Sequence, residues 1–146
     1  MTKLNEFCLH EAREGLENKN FTSRELVLDH IEAMESSRKL NAFITETPEI
    51  AIKSAEKSDI NYSNGSNARL EGIPLGVKDM FCTKGVLTTA SSKMLSNFIP
   101  PYESTVTENL WNDGAILLGK LNNDEFAMGS SNETSFYGPV INPWQN

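Results

Sequence analysis

Cysteine is scarce in this chain. Cys8 and Cys82 are the only two in 146 residues, and neither belongs to a Cys-x-x-Cys pair or a Cys/His cluster. That excludes a disulfide framework and a thiolate metal cluster, and it leads us to expect two reduced thiols in a cytoplasmic protein. Histidine is equally rare. His10 and His30 fall inside helical patterns with no partner at ligand spacing, so they are expected to be helix-surface residues and no metal is expected. No apolar run is long enough to cross a bilayer. The N-terminus lacks a basic region followed by an apolar one, so no secretion signal is expected. Basic charge is also short: the net charge is −7, and acids outnumber bases in both halves. Gripping a phosphate backbone needs clustered Lys and Arg, so the chain is not expected to hold nucleic acid by itself.

The apolar fraction of 38% is low for a self-contained core but too high for disorder. Leu4, Phe7, Cys8, Ala12 and Leu16 recur at helical spacing and predict a first helix over residues 3–18. Thr22 and Glu25 have the spacing of a capping box, with Phe21 and Leu26 placed as a hydrophobic staple, so a second helix is expected to run to about Ser37. A third is expected from Thr47, with Pro48 in its first turn, fading near Asp59. Residues 61–67 have the composition of a polar connector. The segment Gly72-Ile73-Pro74-Leu75-Gly76-Val77-Lys78 is strand-like but broken by Gly and Pro. A short helix is expected over Thr105–Asp113, boxed by Thr105 and Glu108, with Val106 and Leu110 inward and Gly114 as its stop. Ala115-Ile116-Leu117-Leu118 is an unbroken apolar run, the mark of a strand covered on both faces. Helix, glycine turn and buried strand together predict an α/β fold.

Gly114-Ala-Ile-Leu-Leu-Gly119-Lys120-Leu121 nearly matches a phosphate loop. We reject that reading, because an apolar strand cannot converge its N–H groups on phosphates and Leu121 has no hydroxyl for magnesium. Lys78 is of more chemical interest. If the apolar segment before it carries it inward, desolvation disfavours its charged form, and a neutral amine can serve as a general base. The alternative is a strand-end lysine paired with Asp79 or reaching into solvent. Residue chemistry alone favours that alternative, because lysines are mostly exposed. Residues 122–133 gather carboxylates, a glycine and hydroxyls just past the end of the buried strand, where ligands of α/β sheets collect. They read equally well as a capped loop in which Ser131 starts a short helix with Glu133 in its first turn.

Leu70-Glu71-Gly72-Ile73-Pro74-Leu75-Gly76-Val77-Lys78-Asp79 resembles the amidase-signature family. The resemblance continues through Thr88-Thr89-Ala90-Ser91-Ser92, through Gly119 to Ser131, and through Phe136-Tyr137-Gly138-Pro139 and Asn142-Pro143-Trp144. The wording Asp124-Glu125-Phe126-Ala127-Met128-Gly129-Ser130-Ser131 is similar to that of amidotransferase A subunits within the family, as are Ser23-Arg24-Glu25-Leu26 and Leu40-Asn41-Ala42-Phe43. Relatives usually have Thr and Met where Leu121 and Asn123 stand. The resemblance implies an amidase-signature fold, a mixed sheet flanked by helices. Residues 1–146 would be the N-terminal part of one such domain, helical over 1–60, with the first sheet segments and site loops over 70–146. It implies a serine–cis-serine–lysine triad in which Lys78 is the base, with Met128, Gly129, Ser130 and Ser131 beside the substrate pocket. Both triad serines are expected beyond Asn146, so the chain by itself is expected to be inactive and, with its sheet incomplete, poorly stable as a monomer. The implied reaction is release of ammonia from glutamine for conversion of Glu-tRNA(Gln) to Gln-tRNA(Gln). Two other subunits, B and C, are the implied partners, with ATP, magnesium and tRNA held by a partner and no cofactor here. A stand-alone amidase and a non-catalytic remnant that binds partners are the alternatives.

Overall fold

The computed structural model describes residues 3–65 and 68–144. Its elements are α1 (Leu9–Glu17), α2 (Ser23–Ser36), β1 (Phe43–Glu46), α3 (Pro48–Ser63), β2 (Pro74–Lys78), α4 (Thr105–Asn112) and β3 (Ile116–Leu121), with short single turns between them. No helix among the described residues is long and apolar enough to cross a membrane. The chain divides into two compact units. The described parts of 1–35, 47–75 and 109–118 form one, and those of 36–46, 76–108 and 119–146 form the other.

In the first unit the expected helix over 3–18 is two elements, a single turn at Leu4–Glu6 and then α1. The break has a local cause. The Glu11 carboxylate accepts the Cys8 N–H at 2.8 Å, which makes Cys8 a fresh N-cap. Asn5 meanwhile donates its N–H to Asp29 Oδ2 at 2.8 Å, tying the first turn to α2. His10 does have a carboxylate partner one turn on, Glu14 at 3.9 Å, with both side chains widely exposed.

The start of α2 is as expected. Thr22 Oγ1 accepts the Glu25 N–H at 3.1 Å, and the Glu25 carboxylate accepts the Thr22 N–H at 2.8 Å. Phe21 packs against the buried cluster of Ala12, Leu16, Leu26 and Ile73. Helix α3 outruns its expected end near Asp59 and reaches Ser63. Its last turn is fastened by Tyr62, whose hydroxyl donates to Glu71 O at 2.9 Å, and by Asn61, whose amide reaches the Glu71 carboxylate at 3.3 Å. The connector expected over 61–67 is thus helix up to Ser63, and its residues 66–67 lie outside the described residues.

The sheet has the order β1-β3-β2. Strand β1 is antiparallel to β3, with Thr45 opposite Lys120 and Glu46 opposite Gly119, and a register shift between Phe43 and Thr45. Strands β2 and β3 climb together: Ile116 N–H donates to Ile73 O at 2.9 Å and Asp79 N–H to Leu121 O at 2.9 Å, so this pair is parallel. The sheet is therefore mixed, in accord with the expected fold. Residues 116–120 of β3 are all buried, as the apolar run indicates. Strand β1 was not expected.

Two expectations for α4 are corrected. Its cap is Ser104, whose Oγ accepts the Thr107 N–H at 3.2 Å, and not a box between Thr105 and Glu108. Consistent with that start, Thr107 is the buried position and Val106 is 48% exposed. Gly114 does end this segment: its φ of +88° is the left-handed conformation in which a side chain is strained, and a Cβ there would stand 2.7 Å from Glu71 Cα.

Candidate active site

Strand β2 alternates sides, as any strand must. Val77 is 5% exposed and Asp79 is fully buried. Lys78 between them is therefore turned outward and is exposed. Of the two readings of Lys78, the strand-end lysine reaching into solvent is the one the structure has, because its two neighbours occupy the inward positions.

The buried charge lies one residue on. Asp79 Oδ2 accepts the Thr89 N–H at 2.9 Å and the Thr89 hydroxyl at 2.5 Å, with the Ser91 N–H further away at 3.4 Å. Asp79 Oδ1 has no hydrogen-bond partner but faces Lys120 Nζ at 3.8 Å, and both side chains are closed to solvent. Lys120 donates to Phe81 O at 2.7 Å and to Thr88 Oγ1 at 2.9 Å. Burial pushes the Lys120 ammonium below its usual lysine range, and the Asp79 carboxylate opposes that shift.

The segment clamped by this pair is strained. Ala90 and Ser91 have φ of +49° and +56°, and Phe126 and Ala127 have φ of +52° and +58°. Left-handed conformations outside glycine cost on the order of 1–3 kcal/mol each and persist only where the surroundings over-determine them. Here Asp79 O accepts the Ala90 N–H at 3.1 Å, Ala90 O accepts the Phe126 N–H at 2.8 Å, and Ser91 O accepts the Phe136 N–H at 3.0 Å. Ser91 Oγ accepts the Asn123 N–H at 3.1 Å. Two strained turns are thus joined to each other and to the end of β2.

Met128, Gly129, Ser130 and Ser131 follow the second turn and are all exposed, Met128 at 81%. Their loop wraps a buried carboxylate. Asp124 accepts the Asn132 N–H at 2.9 Å and the Thr134 hydroxyl at 2.9 Å. These bonds, the Asn132 amide foremost, hold its carboxyl below the usual aspartate range. A Cβ at position 129 would lie 2.3 Å from Asp124 Cγ, so only glycine lets the loop pass this close. Ser131 starts no helix; its hydroxyl donates to the Glu133 carboxylate at 2.8 Å, and the expectation of a cap there is corrected. Among the described residues no hydrogen bond or ion pair joins the Lys78 side chain to Met128–Ser131. No cluster of three or more His, Cys, Asp or Glu suited to a metal occurs among them either.

Sequence reasoning missed Asp79 and Lys120. The only signal was that Lys120 directly continues the apolar run of β3, and a lysine carried into a buried strand demands a buried partner.

The model of the family described as Amidase matches residues 25–146. The A subunit of glutamyl-tRNA(Gln) amidotransferase from Xanthobacter autotrophicus is 62% identical over 99% of this chain and 29% of its own length. The protein of the same description from Azorhizobium caulinodans is 59% identical over the same shares. The chain thus spans less than a third of the length of these curated relatives. Among solved structures, an amidase superposes with a TM-score of 0.83 at 32% identity, covering 93% of this chain and 31% of that one. The native peptide amidase of Stenotrophomonas maltophilia does so with a TM-score of 0.86 at 26% identity, covering 96% and 30%. The chain belongs to the amidase-signature family.

Proposed function

We propose that this chain is the N-terminal portion of an amidotransferase A subunit that releases ammonia from glutamine, for use by its partners in converting Glu-tRNA(Gln) to Gln-tRNA(Gln). The observation that carries this reading is the 62% identity to a protein of that description over 99% of the chain. Lys78 is the triad base. The two serines, by resemblance, belong to the part of the relatives that this chain does not span. An exposed Lys78 at the end of β2 is available to such serines, and the anchored Asp79 beside it fixes the backbone from which it extends. Met128, Gly129, Ser130 and Ser131 line the glutamine site. ATP, magnesium and tRNA belong to a partner subunit, a division supported by the net charge of −7.

The test is Lys78→Ala in the complete protein with its partners. Glutamine hydrolysis is lost while amidation driven by free ammonia persists, since ammonia bypasses the step that needs the base. Full glutaminase activity in the variant removes Lys78 from the mechanism. A stand-alone amidase is the second reading, favoured by the likeness to amidases of known structure at 26–32% identity. Purification without two smaller partner chains supports that reading instead.

A further inference from the structure

We propose that the buried Asp79–Lys120 pair is the positioning device of this site. It fixes the Ala90–Ser91 turn against the end of β2, and through that turn it hangs the Phe126–Ser131 loop. The argument starts from an imbalance in Asp79. One carboxylate oxygen collects three donors from Thr89 and Ser91, while the other is buried with no hydrogen bond and faces the Lys120 ammonium at 3.8 Å. Such a carboxylate is tolerable in the interior only beside a compensating charge. Lys120 supplies it, and its own two hydrogen bonds go to Phe81 O and Thr88 Oγ1, on the chain between Asp79 and the turn. The pair therefore grips the loop from 79 to 91 at both ends. Two left-handed residues in succession stand directly after the grip, and their carbonyls accept the amides of Phe126 and Phe136. The segment from 126 to 136, which contains Met128–Ser131, is tied at its two ends to those two oxygens and between them to Asp124.

Neither member of the pair is offered as a catalytic residue, since both side chains are closed to solvent and the hydrogen bonds of Lys120 go to protein groups. Their effect on catalysis rests on the proposed roles of Lys78 and Met128–Ser131, whereas their effect on the loop does not. The experiment therefore has two separate readouts in the complete protein carrying Lys120→Met, Asp79→Asn or both. Amide hydrogen exchange at Phe126 and Phe136 is expected to quicken about tenfold or more as local opening becomes easier, while amides within α1 keep their protection. Glutamine hydrolysis at 25 °C is expected to lose about 10²-fold in kcat, the scale of a small misplacement. The double variant, with no buried charge left, is expected to recover its thermal midpoint but neither the protection nor kcat. If Lys120→Met does not fold, Asp79→Asn, which keeps the side-chain shape but removes the charge that Lys120 faces, is expected to quicken the same two amides. Unchanged exchange at Phe126 and Phe136 overturns the proposal. So does a loss of thermal midpoint alone, with kcat and KM at their original values. Should Lys78→Ala remain active, the reading of Lys78 fails, and the exchange result still decides the role of the pair.

Discussion

The side-chain amides of Asn41 and Asn122 converge on one oxygen, the carbonyl of Gly138, at 3.0 and 2.9 Å. Asn122 also donates to Asn41 O at 3.1 Å, and its own Oδ1 accepts the Ser135 hydroxyl at 2.7 Å. Asn41 reaches Tyr137 O at 2.9 Å as well. This network holds the 135–139 segment without any regular secondary structure. Asn122→Ala leaves two carbonyls and a hydroxyl short of partners, and stranding part-buried groups of this kind costs about 1–3 kcal/mol. Asn122→Asp keeps the shape but turns two donors into acceptors aimed at carbonyl oxygens, so it is expected to be the worse of the two. Urea denaturation of both variants checks the order; an aspartate variant as stable as the native chain would remove Asn122 from the network.

Lys78 gives the opposite combination. Its side chain is exposed at the end of β2, and exposed substitutions away from caps and networks stay within about 0.5 kcal/mol. Lys78→Ala is therefore expected to leave the thermal midpoint of this chain in place while costing roughly 10²–10⁴-fold or more in glutamine hydrolysis by the complete protein. A variant that loses activity and stability together would mean that Lys78 acts through the fold.

What could be read from the sequence was local. Thr22 and Glu25 stand three residues apart, so their box needs no information beyond α2 itself, and it forms as expected. The apolar run ending at Leu118 declares its burial in the same way. Strand β1 has no such signature: Phe43–Glu46 is four half-buried residues that become a strand because Gly119 and Lys120 lie opposite them, far along the chain. Lys120 stands in the sequence as part of a rejected phosphate loop and at the end of an apolar run, but its partners Asp79, Phe81 and Thr88 are assembled only by the fold. Lys78 is exposed, as residue chemistry favoured: Val77 and Asp79 take the inward positions on either side of it, and Asp79 can do so because Thr89, ten residues on, supplies its donors.

The box itself can be weighed. Thr22→Ala removes the acceptor of the Glu25 N–H and is expected to cost about 1 kcal/mol. Thr22→Ser keeps the hydroxyl and is expected to retain nearly all of the stability. Because Asp59 also accepts the N–H groups of Ser23 and Arg24, at 2.7 and 3.2 Å, the start of α2 is doubly held. The loss in Thr22→Ala is expected to grow when Asp59→Ala is added. Strict additivity in the double variant, measured by chemical denaturation, would show that the two caps act independently.

Asp124 sets the response to acid. Its carboxyl is held below the ordinary value of 3.8, first by the Asn132 amide and then by Thr134. A group whose folded pKa lies below its unfolded one binds protons more readily when unfolded. It therefore contributes stability above the unfolded value, and that contribution is lost as the pH falls from there through the folded pKa. Protonation also removes the charge that collects the Asn132 and Thr134 donors, so the 125–134 loop is expected to loosen in the same range, below about pH 4. Following the stability of the native chain and of Asp124→Asn from pH 7 to pH 2 checks this. Asp124→Asn is expected to be less stable at neutral pH and to have a flatter acid limb, with the two curves approaching each other at the lowest pH. Parallel curves across the whole range would mean that the titration of Asp124 is not coupled to folding.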